Sequence, residues 1–295
     1  MMGKGDTPEE SLAVGGQAVM EGVMMRNKDI ISIAIRKPDG KIKTNKQHHK
    51  SWASRFKPLG WPFIRGMVNL LEIMIIGTRA LNWSSNQAMD EGEEFKTWEL
   101  VLSIGIAVVF ALGLFKFLPL LAATAVNNTA GTNNLVFNLI DGGVKVAVLV
   151  AYLWIISRFK DVQRLFQYHG AEHKSINCHE SGKKMTVKNV LASSRFHPRC
   201  GTTFILLVFL VSILFYLLIP LSVTFWAKLG LRVLFLPLIS GLTYEVIKLA
   251  GKHYDKAIFK AITSPGLLLQ RLTTKEPDGK QAAVAIKSLK NALQE

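Results

Sequence analysis

The chemistry in this sequence concentrates in five consecutive residues, His169-Gly170-Ala171-Glu172-His173, two imidazoles separated by a turn of helix with a carboxylate between them. Histidines four apart share one helical face and can place two ring nitrogens on a single Zn²⁺ at ~2.0–2.1 Å. H-x-x-E-H is the arrangement of inverted zincins, in which the paired histidines hold the metal and the glutamate is the general base. Glu172 is accordingly the candidate base. His197 and Cys200 join His169 and His173 as the expected ligand set, and Glu21, Cys178, His179 and Glu245 are further candidates. Three ligands with an open position would make such a site catalytic, and four would make it structural. The alternative is that the two histidines only hydrogen-bond inside a bundle, with Glu172 paired to a cation. The metal reading is preferred, because buried histidines with Cys and His in reach match known ligand chemistry.

A second group lies just downstream, in Arg195-Phe196-His197-Pro198-Arg199-Cys200-Gly201-Thr202-Thr203. Thr202 or Thr203 can cap the helix that follows, and its free N–H groups, flanked by Arg195 and Arg199, would hold a lipid phosphate or another anionic group. Positive charge anchoring the end of a membrane span explains the two arginines equally well. Gly15 to Arg26 is glycine-rich but fits neither the dinucleotide fingerprint nor a P-loop, and reads as a turn-rich entry to the following hairpin in preference to a backbone loop touching the site with Glu21 as a further carboxylate. Asp141 and Lys145, four apart, and Lys116 could mark an ion path in a bundle; a salt bridge and a snorkelling lysine are the commoner explanations.

The elements that position these residues are set by hydropathy. The 295 residues are 49% hydrophobic yet contain 36 Lys and Arg, so apolar and basic residues must be segregated along the chain. Residues 100–126 and 204–226 are long and apolar enough to cross a ~30 Å hydrocarbon layer. Residues 135–157 and 229–250 carry internal charges, and charge asymmetry decides their case. Two spans alone would export residues 127–203 with their ten Lys and Arg, whereas with four spans the uncharged loop around 127–134 lies outside and the basic stretch 158–203 lies inside. No cleavable signal peptide is expected at the start. Two cysteines make no disulfide framework, and on the cytosolic side both would be reduced.

Residues 29–36 and 41–47 flank Lys37-Pro38-Asp39-Gly40 and predict a β-hairpin. From Trp61 to Thr78 apolar residues step by three and four, which predicts an amphipathic helix along the interface or on the bundle. The acidic run 90–94 reads as a linker, and 281–293 as a short helix after the Pro277-Asp278-Gly279 turn.

Four segments together, Gly15 to Arg26, Tyr168-His169-Gly170-Ala171-Glu172-His173, Arg195 to Thr203 and Gln270-Arg271-Leu272-Thr273-Thr274-Lys275, resemble the bacterial YqhQ-like family of membrane proteins. The resemblance spans nearly the whole chain. That family is sometimes described as predicted metal-dependent enzymes, so the resemblance implies a membrane location, favours the histidine cluster as the site, and raises interest in Glu21.

The expected fold is mainly α, a polytopic helical membrane protein of about four spans with a small cytosolic α+β part containing the hairpin. Its expected divisions are residues 1–97, a span pair 98–157, the His/Cys loop 158–203, a span pair 204–250 and the tail 251–295, with both termini cytosolic at the cytoplasmic membrane. The expected function is a membrane-embedded, metal-dependent, most simply zinc hydrolase acting on an anionic lipid or peptide. The alternative is a non-enzymatic transporter, channel or assembly factor with a structural metal. Membrane lipids are the expected partners, with no specific nucleic acid.

Overall fold

The computed structural model of the protein describes residues 14–88 and 97–294; the acidic run 90–94 and the first 13 residues lie outside them. The chain opens with four antiparallel strands in the order β1 (Val14–Val19), β2 (Gly22–Asn27), β3 (Ile30–Arg36) and β4 (Ile42–His48). The expected hairpin is β3–β4. The stretch read as a turn-rich entry is instead the paired strands β1 and β2, joined through Met20 and Glu21, with Glu21 at φ 52°. Gly16 and Gly22 serve close approach, while the turn itself is made by Met20 and Glu21. A Cβ on Gly22 would fall on the Ala34 carbonyl, and one on Gly16 would lie 2.8 Å from Glu172 Cγ.

The sheet is covered on both faces, which is why β2 and β3 are nearly continuous apolar runs and lack the alternation of a half-solvated hairpin. One face packs on helix α1 (Ile64–Ala88) through Val19, Met24, Ile33, Ile76 and Ala80. The other packs Val23, Met25 and Ala34 against Tyr168, Ala171, Val284 and Leu289. The covering helices, described below as α5 and α11, are distant in sequence, so segments expected to be separate share one core. The edge strand β4 is mostly polar and exposed, as an edge should be.

Helix α2 (Thr97–Leu112) continues through a π-turn, Gly113–Phe117, into α3 (Leu118–Ala130), which Gly131 ends in a left-handed conformation. Helix α4 (Asn134–Ile156), capped by Asn133, runs back beside α3. Then follow α5 (Lys160–Glu180), α6 (Val187–Leu191), α7 (Gly201–Tyr216), α8 (Phe225–Leu234), α9 (Leu236–Lys252), α10 (Ala257–Thr273) and α11 (Gly279–Leu293). A capping box of Asp278 and Gln281 starts α11, the tail helix expected from the turn before it.

Two helical stretches, Val101–Ala130 and Asn134–Ile156, are long and apolar enough to cross a membrane, and α8 with α9, bent by 42°, makes a third if taken as one. Residues 204–226, expected as one unbroken span, are not one helix: α7 is 16 residues and stops at Tyr216. Pro220 lacks the N–H that another helical turn needs, and Thr224 starts the next helix. Helix α1 joins sheet and bundle. Gly66 meets Gly241 of α9 backbone to backbone, and Arg65 and Asn69 bond Glu245 and Tyr244 of the same helix.

Candidate metal centre

Helix α5 carries His169, Glu172 and His173 on the face turned toward the N-terminus of α7, where Cys200 is the N-cap residue. Thr202 and Thr203, expected as caps, fall inside the first turn instead. Thr203 accepts from Gln270 and packs on Gly266. Cys200 Sγ lies 3.3 Å from His169 Nε2 and 3.2 Å from Thr202 Oγ1, at the positive end of the α7 dipole. Among the described residues, His169, His173 and Cys200 form the one group whose ligand atoms all lie within 4.8 Å of each other.

The orientation of the two imidazoles is fixed from outside. His169 Nδ1 is 2.8 Å from the Thr273 carbonyl and His173 Nδ1 is 2.6 Å from the Arg195 carbonyl. A carbonyl can only accept, so each Nδ1 donates and, in the neutral ring that a metal needs, each Nε2 keeps its lone pair directed inward. This is the outer-shell pattern that orients metal-ligating histidines. The rings approach at 4.4 Å between centroids. Glu172 Oε2 is 3.9 Å from His169 Nε2 and 3.6 Å from His173 Nε2. With Gly16 pressed over it, Glu172 is 4% exposed, and burial pushes its carboxyl up to about 7, with His169 and Arg199 pulling the other way. Lone pairs thus outnumber donors here, and the donor set of two imidazoles, a thiol and a carboxylate fits a divalent cation such as zinc.

The other candidates go elsewhere. The His197 ring lies 5.7 Å from that of His173, but its Nε2 faces Glu180 at 3.5 Å without forming a hydrogen bond. Its place is set by Gln270, which accepts from the His197 N–H and donates to its carbonyl, both at 2.8 Å. Burial lowers its pKa against the pull of Glu180. Glu21 pairs with Arg164 and accepts from Tyr168 at 3.2 Å, and Glu245 pairs with Arg65. Cys178 is in an apolar cluster with Val190 and Ala282, and His179, half-exposed at the end of α5, is outside the ligand group. Both arginines expected to hold an anion are engaged: Arg199 with Glu180, and Arg195 with the Thr274 carbonyl and Glu276.

Glu180, Gln270 and Thr273 were not singled out from the sequence. Glu180 had a signal, since it is seven residues beyond His173 and on the same helical face. Gln270 and Thr273 belong to the fourth segment that carries the family resemblance, so all four segments meet at this point. A cavity of about 480 Å³ opens beside the cluster, lined by Asn177, Glu180, Phe196, Arg199 and Tyr254 among others. None of the three ligand candidates lines it.

A family model described as "Protein of unknown function (DUF1385)" matches residues 61–295. The "Uncharacterized protein YqhQ" of Bacillus subtilis (strain 168) is 37% identical over 297 residues, covering 95% of this chain and 92% of that protein. No solved structure matches the chain.

Proposed function

The chain belongs to the DUF1385, YqhQ-like family, and since membership names no reaction, we propose one from the geometry of the site. The protein is a membrane-embedded hydrolase that holds a divalent metal, zinc foremost, through His169, His173 and Cys200 at the cytosolic surface of the cytoplasmic membrane. The observation that carries this reading is the pair of Nδ1 bonds to backbone carbonyls, which leaves two Nε2 lone pairs converging beside a thiol and a buried carboxylate. A bound zinc ion would supply a water acidified towards pKa ~7. Glu172, with its own pKa raised to about 7, is matched to accept that proton and pass it on. Gly16 and the sheet exclude bulk water from the carboxyl, and the Thr273 and Arg195 carbonyls hold the rings. An anionic lipid or peptide group fits the neighbouring cavity, with Arg199 exchanging Glu180 for it.

We place four spans in the membrane, with both termini inside. The support is the two long apolar helices, the bent α8–α9 pair, the apolar α7, lipid-ready exposed residues such as Ile106, Val109 and Phe110, and the basic excess of 158–203. A reporter at Asn128 should read as external and one at Lys183 as cytosolic; a cytosolic Asn128 would sink this topology.

The test of the site is metal content after purification without chelators. Wild type should carry about one zinc per chain. His169→Ala and His173→Ala should lose it, and Glu172→Gln should retain it and lose turnover. Metal-free wild type would remove the site. The burial of the cluster away from the cavity favours a second reading, a structural metal in a transporter or assembly factor. Silent Glu172→Gln with metal lost in the histidine variants would select it.

A further inference from the structure

Far from the histidines, in the middle of the helical bundle, three elements bring charged side chains to one place, around a tyrosine from a fourth. Lys116, Lys145 and Arg232 are each 4% exposed or less. They surround the ring of Tyr216, with Lys116 Nζ, Lys145 Nζ and Arg232 Cζ at 5.4, 4.5 and 4.6 Å from its centroid. Among the described residues, Asp141 is the one carboxylate they touch, and its two oxygens are taken by Lys145 and Arg232. The remaining acceptors are taken too. Asn138 Oδ1 holds Arg232 Nη2 at 2.9 Å, and Tyr216 Oη accepts from Lys116 at 2.8 Å while donating to the Arg232 carbonyl at 3.2 Å. Donors are left over. Arg232 Nε is buried without a partner, and the three N–H of Lys116 have one acceptor among them.

We propose that this cluster is a binding site for a small inorganic anion of halide type. Three ammonium or guanidinium groups against one carboxylate would leave two positive charges out of water, a state a fold keeps only by neutralising a lysine or by holding a counter-ion, and the unpartnered Arg232 Nε, which cannot be neutralised, favours the counter-ion. A monatomic anion offers charge and acceptor capacity at once, and brings neither a donor that would compete nor a tail needing an opening. The backbone around the cluster is irregular where such a site would need it. Lys116 is on the π-turn Gly113–Phe117, 15 residues from one end of Val101–Ala130 and 14 from the other, too central to reach water. Tyr216 is the last residue of α7, at the break between α7 and α8, and Arg232 is in the last turn of α8. Interrupted helices meeting at mid-bundle are how membrane proteins build ion sites. Lys228, bonded to the Leu221 carbonyl at 2.7 Å, adds a further buried cation nearby.

The test uses the full chain in detergent micelles, with thermal unfolding followed in sodium chloride or bromide against sodium gluconate at matched ionic strength. At tenfold the dissociation constant, halide should raise the midpoint by roughly 3 °C. Lys116→Met should abolish that shift while unfolding in gluconate no earlier than wild type, since it removes an uncompensated cation. Asp141→Asn, which deepens the imbalance, should show a larger halide shift than wild type, or fold in halide only. Equal midpoints for wild type in chloride and gluconate would overturn the site and leave a neutral lysine in its place. A full shift retained in Lys116→Met, or a smaller one in Asp141→Asn, would overturn it as well. The readout is independent of metal at the histidines.

Discussion

Helix α7 has a polar cluster at each end, and the two are opposites. At its N-terminus, two Nε2 lone pairs, a thiol and a carboxyl face one another with few donors between them. At its C-terminus, Lys116, Lys145 and Arg232 face a single carboxylate and a phenol that already accepts from Lys116 and donates elsewhere. The 16 residues between them span ~24 Å. A tally of donors against acceptors gives the sign of the missing partner in each case, a cation at one end and an anion at the other. The compensation also differs in kind. The first cluster is held by backbone carbonyls from outside, and the second by its own ion pairs.

That difference predicts where damage spreads. The largest effect should come from Asp141→Asn. Removing the one carboxylate of a buried group costs on the order of 3–5 kcal/mol, read as a fall in the unfolding midpoint in gluconate, with metal content per folded chain unchanged. Next is Gly170→Ala. A Cβ there would fall on the Lys275 carbonyl, two residues beyond the Thr273 at the end of α10 that orients His169, so that end of the chain segment must move. We expect a loss of about 3 kcal/mol together with zinc, the joint loss being the signature of support from outside. Gly142→Ala is its counterpart in the bundle. Its Cβ would meet the flexible end of Ile213, so about 1 kcal/mol and no change in zinc are expected. Zinc lost in Gly142→Ala, or kept in Gly170→Ala, would break the contrast.

The contrast was partly legible in the sequence. The spacing of His169, Glu172 and His173 fixes a shared helical face, because that is local geometry. Cys200 against His197 could not be decided that way. Both are in one short loop; His197 is placed by Gln270, 73 residues away, and Cys200 by its position as the N-cap of α7. Glu21 and Glu245 drew attention as carboxylates, but their neighbours Arg164 and Arg65 lie across the fold. The hairpin and the tail helix were readable from turn and cap residues. Strands β1 and β2 were not, because their glycines look like loop residues until Glu172 and Ala34 are seen pressing on them. Lys116 was expected to snorkel, yet a lysine at the centre of a 30-residue apolar helix is too far from either end to do so, and only the fold supplies Tyr216 as its partner.

A last effect separates the clusters by pH. In chelated protein, burial holds the Glu172 carboxyl at about 7 against its ordinary 4.5. Between those values the folded state keeps a proton that the unfolded chain has released. The stability this contributes is therefore fully present below about pH 4.5, declines as pH rises, and is lost above about 7. Glu172→Gln carries no such proton. The chelated variant should match wild type near pH 4.5 and become the more stable of the two as pH passes 7, in unfolding midpoints taken across the series. With zinc restored, the ion's charge favours the carboxylate and the difference should shrink or reverse. A gap independent of pH would mean that Glu172 is ionised in its pocket even without metal, and the tally of lone pairs over donors at this end of α7 would have to be redone.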